Sequence, residues 1–230
     1  MVQSEKMAAL GTLTSGVAHE LNNPLNNIST SLQIVLEELE EGDIDYQRNL
    51  LGESLAQVDR AQDIVKSLLE FSRETTFSTS RENIFDLVKN TLKLVQGEVP
   101  SSVDIFVEVP EDIEAVVDPR RIQQVFLNLI LNAIQAMGKH GGKIFIRAKR
   151  DKERGGVVIE VEDNGPGIPE YVLPKIFDPF FTTKEVGRGS GLGLSVSQGI
   201  IAKHGGDISV TSEVGKGTCF RIFLPDQVNN

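Results

Sequence analysis

Nine apolar residues, Leu10, Leu13, Val17, Leu21, Leu25, Ile28, Leu32, Val35 and Leu39, follow one another at steps of three or four. That is the period of a single helix face, held for about eight turns. The stretch Glu41-Gly42-Asp43-Ile44-Asp45 breaks it, and a second stripe runs through Leu51, Leu55, Val58, Ala61, Val65, Leu68 and Phe71. Two long helices joined by a short glycine-containing turn make an antiparallel hairpin. One hairpin cannot bury both stripes, so the pattern predicts a homodimer in which two chains build a four-helix bundle. Glu37, Glu38, Glu40, Glu41, Asp43 and Asp45 crowd the tip and read as a solvated helix end.

The remainder of the chain is composed differently. Residues 1–78 carry 13 acidic and 5 basic side chains with 4 glycines and one proline; residues 79–230 carry 20 and 18, with 17 glycines and 8 prolines. The first part therefore reads as helices and the second as a turn-rich α/β domain. Ser72–Ser80, polar and rich in Ser and Thr, reads as the linker, giving a hairpin over 1–76 and a second domain over 80–228. In that domain strand-like runs fall at Val103–Val107, Ile144–Ala148, Val157–Glu162, Asp207–Thr211 and Cys219–Leu224. Helical patterns fall at Phe85–Val95, Pro119–Met137 and Leu192–His204, with Asp118 as N-cap and Pro119 at the first helical position.

Several classes are excluded early. A net charge of −10 argues against nucleic acid as an electrostatic partner. One cysteine leaves no disulfide framework and no cysteine-rich zinc site, and suits a reducing compartment. No apolar run approaches about 18 residues and no leader-like segment opens the chain, so the expectation is a cytoplasmic segment without membrane contact.

Of the three histidines, His140 and His204 each precede Gly-Gly at an element end, where an imidazole favoured by the helix dipole is the default reading. His19 differs. It lies two residues from both Val17 and Leu21, about 200° around the helix from each, and so on the exposed face. Glu20 adjoins it, Asn23 shares its face, and Pro24 cannot donate to the Glu20 carbonyl, loosening the helix one turn on. An exposed imidazole beside a carboxylate at a loosened turn suits a nucleophile. Taken alone, a solvent-exposed histidine on a bundle is more often idle than functional.

Three further elements suit a nucleotide. Asn128 and Asn132 share a face of the helix that runs to Ala136, and amide oxygens so placed can ligate a hard cation that keeps its waters and bridges phosphates, as Mg2+ does. Asp163-Asn164-Gly165-Pro166-Gly167 follows a strand; its carboxylate can accept from an exocyclic amine, and its glycines let the backbone pass close to a flat ring. Gly187-Arg188-Gly189-Ser190-Gly191-Leu192-Gly193 runs into a helix and forms an anion cradle. The segment before it, Ile176 to Lys184, turns from aromatic to basic, as a flap with Lys184 in reach of a phosphate would.

In this order the elements resemble the transmitter module of two-component sensor histidine kinases. His19-Glu20-Leu21-Asn22-Asn23-Pro24-Leu25 is similar to the H box, Asn128 to Ala136 to the N box, Asp163 to Gly167 to the first glycine box, Phe177 to Phe181 to the F box, and Gly187 to Gly193 to the last glycine box. The resemblance spans about residues 4–225, and its H box is closest to the nitrogen-regulator type. It implies a dimerisation and phosphotransfer hairpin followed by a two-layer α/β sandwich of the GHKL ATP-binding type. It implies ATP and Mg2+ as cofactors, and as partners a second copy and a response-regulator receiver domain. By the same resemblance His19 is the phospho-acceptor and Glu20 its general base, and Asn23 orients water for phosphatase action. Asn132 binds the metal with Asn128 as helper, Asp163 reads adenine, Lys184 faces the γ-phosphate, and Gly165, Gly167, Gly189, Gly191, Leu192 and Gly193 line the nucleotide. Gln135 stands where many relatives carry a basic residue. Two other classes fit the same residues: an ATPase that makes no phosphohistidine, which acid-labile, base-stable label would exclude, and a silent dimeric scaffold, which nucleotide binding would exclude.

Overall fold

The computed structural model describes residues 21–39, 42–72, 77–184 and 191–226, which divide into two compact units. One holds Met1–Arg73 and Phe180–Leu192; the other holds Glu74–Pro179 and Gly193–Asn230.

The first unit contains helix α1, described over 21–37, and helix α2, Ile44–Ser72. The turn between them is closed by backbone and side chain together. Gly42 N–H donates to the Glu38 carbonyl at 2.7 Å, Gln47 Nε2 donates to the same oxygen at 2.6 Å, and Asp43 Oδ1 accepts from the Asp45 N–H at 2.9 Å. Burial resolves each helix into two faces. On α2 the inward positions are Leu50, Ser54, Gln57 and Ala61, while Leu51, Leu55, Val58 and Val65 face outward. On α1, Leu21, Ile28 and Val35 are half-buried, and Leu25, Leu32 and Leu39, each four residues further on, are exposed. The apolar stripe that marks α2 in the sequence is thus largely its outward one, and the inward face includes polar Ser54, whose hydroxyl bonds back to the Leu50 carbonyl at 2.9 Å.

The second unit is a helix layer on a sheet. Strands β1 (Ser80–Asn83), β2 (Val103–Glu108), β3 (Glu114–Val117), β4 (Gly142–Asp151), β5 (Gly156–Asp163), β6 (Asp207–Glu213) and β7 (Gly217–Pro225) alternate with helices α3 (Ile84–Val95), α4 (Pro119–Met137) and α5 (Gly193–Lys203). Five strands form one mixed sheet in the order β2-β4-β5-β7-β6, parallel only between β2 and β4; β1 and β3 pair as a separate antiparallel ribbon. Alternation decides which face is covered. Ile144, Ile146, Ile159, Val161, Phe220 and Ile222 are buried with Ile122, Phe126, Leu129 and Ile130 of α4, whereas Phe145, Arg147, Glu160, Glu162 and Arg221 form the other face. That face is wet and paired: Arg147 bridges Glu108 at 2.7 Å and Glu162, and Arg221 bonds Glu160 at 2.8 Å. Such exposed pairs contribute little to stability.

Helix α4 occupies the span its pattern predicts, opened by Pro119 and by Asp118, whose side chain accepts from the Arg121 N–H. Strand positions in the five-stranded sheet follow the predicted runs with a residue or more added at one or both ends. The ribbon β1–β3 is not foreseen: Ser80-Arg81-Glu82-Asn83 has no apolar alternation, and only its partner makes it a strand. The linker is also shorter than Ser72–Ser80, because Ser72 ends α2 and Phe77 and Ser78 are already fastened to the second unit.

Candidate functional site

Asp163 ends β5, and its position follows from the strand it closes. Alternation along β5 turns it to the covered face, where it is buried at 6% exposure. Gly165 N–H donates to its Oδ1 at 2.8 Å, and a second backbone N–H comes from Thr218, its partner across the β5–β7 ladder. Burial pushes the Asp163 carboxyl above the usual aspartate range, while the two N–H groups draw it back and neighbouring Glu162 adds a further upward push. A carboxylate stripped of water and held by backbone donors is a strong acceptor for one more N–H, as an exocyclic amine offers.

The two glycines of this loop are required for different reasons. A Cβ on Gly165 would stand 2.8 Å from Asp163 Oδ1 and 3.3 Å from Met137 Cγ, so its absence keeps the carboxylate open. Gly167 has φ +73° and its Cα faces the Glu213 carbonyl, where a Cβ would lie at 2.1 Å. Its missing side chain makes room for the protein's own β6 end.

Helix α4 carries the paired asparagines to the surface that α5 meets. Asn128 and Asn132 are both half-buried, one turn apart. Asn128 Nδ2 donates to the Gly193 carbonyl at 3.1 Å and to Ser197 Oγ at 3.3 Å, while Ser197 Oγ donates to Gly193 at 2.8 Å. Asn128 therefore fastens the first turn of α5, and a Cβ on Gly193 would lie in ordinary contact with its amide group, at 3.6 Å. The end of α4 meets the Asp163 loop through Met137, whose side chain flanks both Gly142 and Gly165. Among the described residues no group of three His, Cys, Asp or Glu side chains gathers to hold a metal. A divalent ion at α4 would fit as magnesium does, with an amide oxygen, phosphates and water as ligands.

The remaining predicted residues belong to the other unit. Gly191 has φ +67°, and a Cβ there would lie 2.3 Å from the carbonyl carbon of Phe180, itself at φ +67°. The backbone at 180 and at 191 thus meets back to back, at either end of the segment that contains Lys184. Lys184 is half-buried in that segment, its N–H donates to Thr182 Oγ1 at 3.1 Å, and burial lowers its ammonium below the usual lysine value. Leu192 is buried. Asn23 is exposed on α1 and Pro24 is buried within continuous helix. His19, Glu20 and Gly189 lie outside the described residues.

Two groups escaped the sequence reading. Thr218 is buried, donates to Asp163 through its backbone, and lies 2.9 Å from Ser212 Oγ, which in turn accepts from the Ile168 N–H at 2.8 Å. The turn Gly215-Lys216-Gly217-Thr218 marks the place, but nothing in it announces a partner across the sheet. His204 is fully buried rather than set at a solvated helix end. Its Nδ1–H donates to the Ile200 carbonyl at 2.8 Å and its Nε2 accepts from the Asp118 N–H at 2.9 Å. Both partners demand the neutral ring, and burial holds its pKa below the usual histidine value, so the dipole-favoured cation expected there is not formed. His140 is exposed, as expected of an element end.

Comparison with known proteins covers both units. Residues 9–76 match the family model described as the His Kinase A (phospho-acceptor) domain, and residues 117–228 match the one described as Histidine kinase-, DNA gyrase B-, and HSP90-like ATPase. The chain is 41% identical over 98% of its length to Sensor kinase CckA of Brucella abortus (strain 2308), and 38% identical over 98% to Sensor histidine kinase ZraS of Escherichia coli (strain K12). It spans 25% and 47% of those two relatives. Among solved structures, the catalytic domain of histidine kinase ThkA is 36% identical with a TM-score of 0.58, covering 65% of this chain and 96% of that one. ThkA in complex with response regulator protein TrrA is 32% identical with a TM-score of 0.75, covering 97% and 64%.

Proposed function

This chain belongs to the two-component sensor histidine kinases, and from that premise we propose that it phosphorylates itself on His19 and passes the phosphoryl group to a receiver aspartate. The observation that carries the reading is a division of chemistry. His19 falls inside the matched phospho-acceptor region, while the buried carboxylate of Asp163 and the asparagine-bearing face of α4 fall inside the matched ATPase region.

ATP binds the second unit. Asp163 accepts the N–H of the adenine amine, and Gly165 leaves that oxygen accessible. Asn132 would hold the magnesium ion through its amide oxygen, and Asn128 sets the first turn of α5. Magnesium, when bound, neutralises the charge of the β- and γ-phosphates. Lys184, held below its usual pKa by burial, is strengthened as a cation when a phosphate comes near. Gly189, Gly191, Leu192 and Gly193 shape the loop that closes over the phosphates.

Neutral His19 attacks the γ-phosphorus through one ring nitrogen, and the bond from that phosphorus to the β–γ bridging oxygen breaks, releasing ADP. Glu20 accepts the proton of the other ring nitrogen. The phosphoryl group then moves from His19 to the aspartate of a response regulator. Asn23 cannot act as a base; on the face it shares with His19 its amide orients the water that hydrolyses the regulator's phosphoaspartate. The outward leucines of α1 and α2 support a homodimer through a four-helix bundle, as their exposure in a single chain leaves them without cover. Among the described residues no helix is long and apolar enough to cross a membrane; we place this segment in the cytoplasm.

Incubation with ATP labelled at the γ-phosphate tests the reading. Label that is acid-labile and base-stable, absent from His19→Gln, and chased onto a receiver domain is expected. Label that persists in His19→Gln removes that histidine from the mechanism.

A further inference from the structure

The chain entering the second unit is gripped at a junction of three elements. Phe77 and the buried imidazole of His204 meet in a T-shaped arrangement, with centroids 4.8 Å apart and planes at 72°, and Lys203 Nζ stands 4.8 Å from the centroid of the Phe77 ring. The next residue, Ser78, donates its N–H to Asp118 Oδ2 at 3.2 Å. Asp118 also caps α4 through Oδ1, and its own N–H donates to His204 Nε2. One short stretch therefore fastens to the start of α4 and to the end of α5 together.

Those two helices are clasped a second time. Asp118 and His204 join the start of α4 to the end of α5, and Asn128 joins the middle of α4 to Gly193 and Ser197 at the start of α5. Two antiparallel helices bonded at both ends behave as one body, and that body carries Asn128 and Asn132. Phe77 is thus the point at which the chain leaving α2 is fixed to the helices that hold the nucleotide residues. Nothing in the nucleotide chemistry itself calls for an aromatic there: the Phe77 ring is held by His204 and Lys203, at the opposite end of α5 from Gly193.

We propose that Phe77, seated on His204, is a positioning residue that fixes where the chain leaves the ATP-binding unit and so sets how often bound ATP meets His19. The inference rests on the phosphotransfer reading above. The Phe77 ring and the Ser78 N–H bond to Asp118 together hold the chain ahead of β1, which begins at Ser80; without the ring the Ser78 bond alone sets the exit of the chain. Loss of that exit direction lowers the fraction of encounters in which bound ATP meets His19 in a productive orientation.

The test uses the full chain and its Phe77→Ala variant, with rates of His19 labelling measured across ATP concentrations and a fluorescent ATP analogue reporting binding. The expected result is a kcat lower by about twofold or more, from lost orientation, with KM for ATP and analogue affinity unchanged, and recovery in Phe77→Tyr. A second variant, with three Gly/Ser residues inserted after Thr76, leaves the seat intact but lengthens the chain between α2 and Phe77 and should lower kcat alike. Wild-type kcat in Phe77→Ala overturns the proposal, as does a fall in ATP affinity that matches the fall in kcat. If Phe77→Ala does not fold, wild-type kcat in the insertion variant overturns it. An unlabelled wild-type chain instead defeats the phosphotransfer reading.

Discussion

The hairpin and the sandwich solve the problem of apolar burial in opposite ways. The sandwich encloses its own: Ile84, Ile122, Ile130, Ile144, Ile159 and Ile201 have no measurable exposure. The hairpin leaves Leu36 at 68% and Leu55 at 67%, with Leu25, Leu39 and Leu51 also exposed. A layered α/β domain has two surfaces to bring together, whereas two helices can hide only the facing stripes of each other. A unit that finishes its own core can hold a fixed nucleotide site. A unit that leaves apolar surface outside is suited to a second copy, which the proposed four-helix bundle would supply. The contrast also predicts that the chemistry separates cleanly between the units.

The sharpest way to break that separation is a pair of substitutions. His19→Gln is expected to abolish labelling while ATP affinity stays within a few-fold. Asp163→Asn is expected to weaken ATP binding by about 1–3 kcal/mol, the loss of a charged hydrogen bond. Without nucleotide, its melting temperature should not fall. The sign follows from the raised carboxyl pKa of Asp163: above that pKa the folded state must hold a buried charge that the unfolded state holds in water, and asparagine removes this cost. A His19→Gln chain that no longer binds the nucleotide would show the two units to be one site.

Next in size is the dimer. Burying Leu36 and Leu55 of both chains stabilises the bundle by about 1.5–3 kcal/mol per side chain. Leu36→Lys with Leu55→Lys should therefore raise the dimer dissociation constant by at least about 10⁴-fold, read by sedimentation. Both residues are exposed in one chain, so the helical circular dichroism of the hairpin should persist. A double variant that still sediments as the wild type assigns those leucines elsewhere.

Within the hairpin, Glu20 and Asn23 should part company. Glu20→Gln removes the base and should lower autophosphorylation on the order of 10²-fold. Asn23→Ala should keep most autophosphorylation and lose dephosphorylation of the phosphorylated regulator. Asn23 adjoins the buried Pro24, so both activities of both variants need measuring: equal loss of the two in Asn23→Ala would give that residue a structural role.

What the sequence disclosed depended on how local the signal was. Helix α4 announces both ends through Asp118 and Pro119 and through Gly138, and the strands of the five-stranded sheet announce themselves by apolar runs. Asp163 is legible because a carboxylate after a strand and before two glycines is a local pattern. Thr218 and His204 are not, since their roles come from partners 55 and 86 residues away, Asp163 across the β5–β7 ladder and Asp118 at the start of α4. The inward face of α2 is hidden for another reason: Ser54 and Gln57 are polar, and the louder stripe beside them faces outward.

The smallest effect concerns His204 and separates folding from chemistry. Its neutral ring accepts from Asp118 and donates to Ile200, and protonation at Nε2 would set two hydrogens against each other at 2.9 Å. Burial lowers its pKa; Lys203 and Arg121 lower it further, while Asp118 and the Ile200 carbonyl oppose them. In the unfolded chain the same ring titrates at its ordinary value, near 6.5. Below that pH the unfolded state binds a proton that the folded state refuses. Stability therefore falls as the pH drops through about 6.5, by up to about 1.4 kcal/mol per unit, until the folded pKa is reached. His204→Gln cannot titrate and keeps an amide to accept from Asp118. It should be less stable at neutral pH, yet lose less on acidification. The difference between the two denaturation curves cancels the carboxylates they share, including Asp163. The difference should narrow between pH 7 and pH 5, and parallel curves over that interval would mean that the ring carries its proton in the folded state.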